Sequence, residues 1–158
     1  MHTGKLTMQN GGIRHRLLAI LTADAAGYAR LMAMDDVATL TALDEARRVF
    51  GMNVESRGGR VIDTAGDSAL AVFDTASGAV SAAMAIQEQL ATRTRDVPEH
   101  PHTLFRIGIH IGDVIEKVDG TVYGDGINIA ARLQALAGRR RACGRPRDTR
   151  SRDRRDHP

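Results

Sequence analysis

The sequence has few aromatic residues and a single cysteine. Phe and Tyr make up 3% of its 158 residues and Trp is absent, so aliphatic side chains must fill the core. The one cysteine, Cys143, excludes an internal disulfide framework and favours a reducing, cytoplasmic location. The longest apolar run, residues 17–21, is too short to span a bilayer, and the N-terminus lacks the apolar segment of a signal peptide. We therefore expect one cytoplasmic domain with no membrane segment in this chain.

The net positive charge of the chain belongs to residues 138–158 alone. That segment holds nine Arg against three Asp, so the rest of the chain carries a net charge of −3 despite the total of +3. A mildly acidic body does not offer the basic surface that nucleic-acid backbones require, and we predict no nucleic-acid partner. The Arg-rich segment contains no apolar residue after Cys143 and is predicted to be a disordered tail. Residues 1–14 are predicted to be a flexible lead-in, which leaves residues 15–137 as the folded domain.

Two carboxylates stand where apolar strands end. Asp24 follows a nearly continuous apolar strand, and Asp67 follows Gly66 in a turn between two short strands within residues 60–73. Asp67 alone is most simply a turn residue, because Gly and Asp both favour turns. Two strand-end carboxylates separated by a helical segment could, however, meet at one end of a sheet. Such an oxygen-only pair suits Mg²⁺ or Mn²⁺ held jointly with substrate phosphates.

Two further segments suit an anionic ligand. Small residues after the first carboxylate let backbone N–H groups approach a phosphate closely, which makes Ala26, Gly27 and Tyr28 candidate substrate-binding residues, although the spacing is not that of a P-loop. Asn128 and Arg132 lie one turn apart in a predicted C-terminal helix. An amide beside a guanidinium can stabilise negative charge on a phosphoryl oxygen. A solvated helix face is the simpler explanation of these two residues when they are considered alone.

Residues 104–115 alternate apolar and other side chains over the length of a long strand. One face is predicted to carry the apolar side chains of Phe105, Ile107, Ile109 and Ile111. The other face carries two glycines, which leave a flat surface that permits close approach by a helix or by a planar ligand; we favour helix packing. The helix that follows is predicted to bury one stripe, formed by Ile129, Ala130, Leu133, Leu136 and Ala137.

Four of these segments, in this order, resemble the catalytic domain of the class III adenylate/guanylate cyclases. Residues 23–31 (ADAAGYARL) are similar to the first metal motif of that family, and residues 58–67 (GGRVIDTAGD) are similar to the second. Residues 105–114 (FRIGIHIGDV) are similar to its long strand, and residues 123–133 (YGDGINIAARL) are similar to its transition-state helix. The resemblance runs from about residue 16 to residue 137. It implies an α/β (α+β) fold with a ferredoxin-like βαββαβ core. It also implies a head-to-tail homodimer with its active sites at the interface.

The resemblance assigns a role to each candidate residue. It implies that Asp24 and Asp67 hold two Mg²⁺ or Mn²⁺ ions with help from the Ala25 carbonyl. Asn128 would orient the ribose of the substrate, and Arg132 would stabilise charge on its α-phosphate. The implied reaction is attack of the ribose 3′-oxygen on the α-phosphorus of ATP or GTP, which releases pyrophosphate and a cyclic nucleotide for intracellular signalling.

The purine-selecting positions depart from the family pattern. Four residues before the second metal aspartate, where many adenylate cyclases have Lys and guanylate cyclases have Glu, this chain has Asp63, and the partner position is Thr121. An ionised Asp only accepts hydrogen bonds, whereas Thr can donate or accept them. The pair could therefore contact either adenine or guanine. We expect ATP because adenylate cyclases are the more abundant members of the family.

The second departure is the end of the chain. The family continues past the position of Ala137 with further strands and a late Lys that binds triphosphate, whereas here the Arg-rich segment follows. We therefore expect a truncated domain of low activity, and the Arg-rich composition is typical of a GC-rich gene translated in a shifted frame. The alternative is a non-catalytic cyclase-like module that dimerises or binds nucleotide. A third interpretation is an unrelated Mg²⁺-dependent phosphoryl-transfer fold.

Overall fold

The computed structural model describes residues 12–96 and 103–137. The predicted tail, residues 138–158, and most of the predicted lead-in lie outside the described residues. The elements in chain order are β1 (Ile13–Ala25), α1 (Tyr28–Met34), α2 (Asp36–Glu55), β2 (Gly59–Asp63), β3 (Ser68–Phe73), α3 (Ala76–Asp96), β4 (Phe105–Lys117), β5 (Val122–Tyr123) and α4 (Asp125–Ala137). Within the described ranges, no helix combines the length and the apolar character that crossing a membrane requires.

The five strands form one antiparallel sheet in the order β2-β3-β1-β4-β5. Strand β3 lies between β1 and β2, and β4 pairs with the other edge of β1 along its whole length. In this register Ile13 lies opposite Lys117 and Ala25 lies opposite Phe105. With helices between β1 and β2 and between β3 and β4, this is a βαββαβ core. The predicted ferredoxin-like fold is confirmed, with β5 and α4 added to it.

Strand β1 is covered on both faces, which explains its continuous apolar sequence. Ala19, Leu21 and Ala23 belong to a core cluster that includes Phe50 of α2 and Ile86 of α3. The intervening residues Leu18 and Ile20 belong to a second cluster with Val72, Val114, Val122 and Ala130. Small alanines at these positions let the helices approach the sheet in a protein with few aromatic side chains.

Helix α4 packs directly onto the glycine face of β4. A Cβ atom on Gly108 would overlap the carbonyl oxygen of Ala130 and the amide nitrogen of Gln134. One on Gly112 would lie 3.5 Å from the Cα of Gly126 in the first turn of α4. The interpretation of the two glycines as a helix-packing surface is therefore confirmed, because α4 occupies the space in front of Gly108.

The predicted buried stripe of α4 is only partly correct, and the apolar face of β4 is only partly covered. Phe105 is buried, but Ile111 on the same predicted face is 51% exposed, because the described helices cover only the first half of that face. On α4, Ala130 is buried while Leu133 and Leu136 are 42% and 54% exposed. The helix contacts β4 through its small residues rather than through the predicted leucines.

Candidate active site

Three chain segments meet at one end of the sheet. In the strand register, Asp24 near the end of β1 lies opposite Ser68 of β3 and Arg106 of β4. The amide of the next residue, Ala25, donates a hydrogen bond to the carbonyl oxygen of Asp67 at 2.9 Å. The structure thus brings both strand-end carboxylates to the same end of the sheet, and Ala25 links the segments that carry them.

Arg106 binds the first of these carboxylates. Its Nε donates to Oδ1 of Asp24 at 2.8 Å, and its Nη2 donates to Oδ2. Hydrogen bonding to Asp24 raises the pKa of Arg106 against the opposing effect of desolvation, and the negative charges of Asp24 and Asp67 raise it further. One guanidinium therefore pairs with Asp24 and lies within the electrostatic influence of Asp67. Arg106 was not among the sequence candidates, because its position beside Asp24 follows only from the register between β1 and β4.

The donor set at this end of the sheet fits a hard divalent cation. The carboxylates of Asp24 and Asp67, with the predicted backbone carbonyl of Ala25, are oxygen ligands of the kind that Mg²⁺ and Mn²⁺ prefer. In residues 12–96 and 103–137, no group of three or more His, Cys, Asp or Glu side chains is placed to hold a metal. Mg²⁺ commonly takes only one or two protein carboxylates and completes its shell with waters and substrate phosphates. The site therefore fits a cation shared with a phosphate ligand.

The segment after Asp24 turns sharply into helix α1. Gly27 adopts φ 72°, a conformation that favours glycine, and the helix has no side-chain cap at this end. The amide of Ala26 donates to the carbonyl oxygen of Leu104 at 2.8 Å, and the Tyr28 ring packs against the core. Among the three predicted substrate-binding residues, the backbone amides of Gly27 and Tyr28 are therefore the better placed to meet a phosphate.

The two predicted purine-selecting residues lie near opposite edges of the sheet, and the structure does not bring them into contact. Asp63 ends β2, and Thr121 lies in the turn between β4 and β5. Arg60 of β2 donates to the carbonyl oxygen of Gly120 at 2.8 Å and so fastens this turn to β2. Hydrogen bonds from Thr121 lower the pKa of Asp119 within the turn, and the side chain of Thr121 contributes more than its amide.

A cavity of about 140 Å³ lies between the sheet and helix α4. Asp63 lines it, together with Thr22 and Leu70 from the sheet and Ile127 and Gln134 from α4. Thr121 does not line this cavity. The cavity is small compared with sites for whole drug-sized ligands, which measure about 300 Å³ or more, so it suits one ring system of a larger ligand.

Asn128 and Arg132 are both exposed on helix α4. The buried residues of the helix are Gly126 and Ala130, which face the sheet. Asn128 and Arg132 therefore lie away from the surface that packs on the same chain. Within the described part of the chain, neither side chain hydrogen-bonds Asp24 or Asp67. The chain thus carries two separate sets of candidate residues, one at the strand ends and one on α4.

The chain resembles known proteins both in sequence and in fold. The sequence profile of the adenylate and guanylate cyclase catalytic domain matches residues 13–142. A protein named putative adenylate cyclase 3, from Rhizobium meliloti (strain 1021), is 42% identical over 131 residues, covering 82% of this chain and 22% of that protein. The chain spans less than a third of the length of the curated relatives it matches.

Solved structures show the same fold. The crystal structure of an adenylate/guanylate cyclase/hydrolase from Silicibacter pomeroyi has a TM-score of 0.71 at 41% identity, covering 78% of this chain and 72% of that one. The dimeric guanylyl cyclase domain of the RhoGC fusion protein from the aquatic fungus Blastocladiella emersonii shares the fold alone, with a TM-score of 0.65 at 18% identity and coverage of 78% and 76%. The chain belongs to the adenylate and guanylate cyclase catalytic domain family.

Proposed function

We propose that this chain is the catalytic domain of an adenylate cyclase, which converts ATP to cyclic AMP and pyrophosphate. The observation that carries the proposal is the placement of Asp24, Asp67 and Arg106 together at one end of the sheet. Two carboxylates and a guanidinium supply the charges that a metal–triphosphate complex requires. Cyclic AMP is a diffusible intracellular signal, which agrees with the cytoplasmic location expected from the single cysteine.

The proposed reaction is an internal transfer of the α-phosphoryl group. The ribose 3′-oxygen attacks the α-phosphorus and forms a new P–O bond, while the bond to the oxygen that bridges to the β-phosphorus breaks. Pyrophosphate leaves with that bridging oxygen, and the 3′-hydroxyl proton passes to solvent. When bound by Asp24 and Asp67, two divalent ions supply positive charge that neutralises the triphosphate and promotes loss of this proton.

Arg106 has two anions to bind in this scheme. In the ligand-free chain its guanidinium pairs with Asp24. With a divalent cation held by Asp24, Arg106 would be free to exchange that carboxylate for an oxygen of the triphosphate. The exchange would keep the guanidinium paired with an anion, since a partly buried unpaired charge is costly.

Asn128 and Arg132 act on the sugar and the α-phosphate in the proposed reaction. Both side chains are exposed on α4 and make no hydrogen bond to the carboxylates of their own chain within the described residues. We therefore propose a homodimer in which Asn128 and Arg132 of one subunit face Asp24 and Asp67 of the other.

The proposal is tested by product analysis. The 158-residue chain is incubated separately with ATP and with GTP in the presence of Mn²⁺, and the products are identified by mass spectrometry. We expect cyclic AMP and an equal amount of pyrophosphate from ATP, and a lower yield from GTP. Nucleotide binding without either cyclic product would instead identify a non-catalytic cyclase-like module. Release of inorganic phosphate alone would indicate a different phosphoryl-transfer reaction.

A further inference from the structure

Thr22 has an unusual position in strand β1. Its residue is 7% exposed, and its hydroxyl oxygen has no hydrogen-bond partner among the residues that the structure describes. In the register it lies opposite Leu70 of β3 and Gly108 of β4, on the face that packs against α4. The backbone groups around it are paired in the β ladders, so they leave the hydroxyl without an acceptor.

Buried hydroxyl groups rarely lack a partner, because removing one from water without a hydrogen bond is destabilising. A valine would fill the same place in a strand without this cost. The unpaired hydroxyl of Thr22 is therefore available to a ligand that supplies the partner. Its location fits this explanation, since Thr22 lines the cavity of about 140 Å³ between the sheet and α4.

The cavity offers polar groups at its ends and apolar walls between them. Asp63 of β2 lies opposite Leu70, which in turn lies opposite Thr22, so Asp63 and Thr22 are two strand spacings apart. That separation is about 10 Å between backbones, which suits a planar heterocycle whose edge reaches both side chains. Leu70 and Ile127 supply apolar contact for the faces of such a ring, and Gln134 adds an amide.

We propose that Thr22 is a base-recognition residue whose hydroxyl donates a hydrogen bond to a ring nitrogen of the purine, while Asp63 accepts one from the exocyclic amino group. This inference rests on the proposed function and names one more residue of that site. In adenine the amino group lies beside two acceptor nitrogens, N1 and N7. An acceptor-only carboxylate and a donating hydroxyl match either edge.

The test measures binding of 3′-deoxy-ATP, which lacks the attacking hydroxyl and cannot be cyclised, to the full chain with Mn²⁺. The Thr22→Val variant removes the hydroxyl, and the Thr22→Ser variant keeps it. We expect Thr22→Val to weaken binding about 3- to 10-fold, the value of one hydrogen bond, and Thr22→Ser to remain within about twofold of the parent. Ligand-free Thr22→Val should melt at a higher temperature than the parent, because an unpaired buried hydroxyl is gone.

Thr103→Val is the matched control, since the Thr103 hydroxyl is also buried and without a described partner but does not line the cavity. It should raise the melting temperature and leave nucleotide binding unchanged. The 3′-deoxy forms of 1-deaza-ATP and 7-deaza-ATP identify the ring nitrogen. The analogue that lacks the nitrogen contacted by Thr22 should bind the parent chain and Thr22→Val equally weakly.

Equal binding of 3′-deoxy-ATP by the parent and Thr22→Val would overturn the inference, as would a lower melting temperature for Thr22→Val, which would show a hydroxyl already paired inside the protein. Product analysis distinguishes failure of the inference about Thr22 from failure of the proposed cyclase function. A parent chain that binds 3′-deoxy-ATP but makes no cyclic product from ATP refutes catalysis, while the binding comparison still decides the role of Thr22. A parent chain that does not bind the nucleotide refutes both.

Discussion

Arg106 and Asp24 lie opposite each other on neighbouring strands, and the guanidinium of Arg106 holds both oxygens of the Asp24 carboxylate. The pair is partly buried, with the side chain of Asp24 15% exposed and that of Arg106 36% exposed. The carboxylate that the sequence predicts to bind a metal is therefore already neutralised by a cation of the same chain. A divalent ion must displace Arg106 or share the carboxylate with it.

Replacing Arg106 should separate metal affinity from nucleotide affinity. In Arg106→Met the competing cation is gone and the charges of Asp24 and Asp67 are unbalanced, so we expect Mn²⁺ to bind about tenfold more tightly, equivalent to about 1.4 kcal/mol. The affinity for ATP should fall, because a phosphate contact is lost. Titration of Mn²⁺ by electron paramagnetic resonance, with and without ATP, measures both changes.

The control for that measurement is Arg93→Met, which removes an exposed guanidinium paired with Glu45 on the helical side of the protein. It should change neither affinity, since exposed ion pairs contribute little. Unaltered Mn²⁺ binding in Arg106→Met would show that Arg106 does not compete with the metal. Unaltered ATP binding would exclude the exchange of Asp24 for triphosphate.

Two glycine substitutions test how α4 is positioned. A Cβ on Gly108 would overlap backbone atoms of Ala130 and Gln134, so Gly108→Ala should displace α4, destabilise the fold by about 1–3 kcal/mol and abolish cyclase activity. Gly51 lies inside α2 with nothing within 4 Å of its added Cβ. Gly51→Ala should therefore stabilise the protein by up to about 1 kcal/mol, which raises the melting temperature by about 2–4 °C.

Thermal unfolding followed by circular dichroism gives both values. A melting temperature for Gly108→Ala at or above that of the parent chain would contradict the packing of α4 on β4. If Gly51→Ala were also less stable than the parent chain, the destabilisation of Gly108→Ala could not be attributed to its contact with α4.

Much of the fold could be predicted from the sequence, because the distribution of apolar residues is clear in the long elements. The continuous apolar run of β1 and the alternating residues of β4 each gave a strand in the right place. The exposed Leu133 was predicted to be buried, because periodicity reports which residues share a face and not whether another element covers that face.

The candidate site was predictable only in part. Asp24 and Asp67 were found because carboxylates at strand ends are conspicuous in the sequence. Arg106 was not, because its role depends on the register between β1 and β4, which pairs residues 82 positions apart. Thr22 lies inside an apolar strand and carries no signal until its hydroxyl is seen to lack a partner. Such relationships arise from tertiary packing and cannot be derived from local patterns.

Asp63 should govern the choice of base. It lines the cavity next to α4 and accepts hydrogen bonds only, so Asp63→Lys replaces an acceptor with a donor. We expect both turnover rates to fall, because a lysine cannot accept from the amino group of either purine. The ratio of ATP to GTP turnover should rise by about tenfold, because a lysine can donate to the adenine N1, whereas the guanine N1–H and N2–H₂ groups offer it only donors. Glu88→Lys, an equal charge change at an exposed position of α3, is the control. An unchanged ratio in Asp63→Lys would remove Asp63 from the base pocket.

A site shared between subunits predicts complementation. Asp24→Asn and Arg132→Ala should each be inactive alone, because every site in either homodimer lacks one group. After mixing, random exchange makes half of the dimers heterodimers with one intact site of two, so about a quarter of the parent activity should return. Activity is measured before and after exchange at a fixed total concentration. Absence of recovery, with exchange verified by native mass spectrometry, would place each site within one subunit.

The most direct test of the central claim is cyclic AMP formation by Asp67→Asn compared with Asp74→Asn. Both replace a strand-end carboxylate without changing side-chain size, but Asp74 pairs with Arg16 on the surface, away from Asp24. Loss of a metal ligand removes several kcal/mol of transition-state stabilisation, so Asp67→Asn should lower single-turnover cyclic AMP formation with Mn²⁺ on the order of 10²-fold or more. Asp74→Asn should retain the parent rate. Equal rates for the two variants would contradict the assignment of Asp67, and with it the proposed active site.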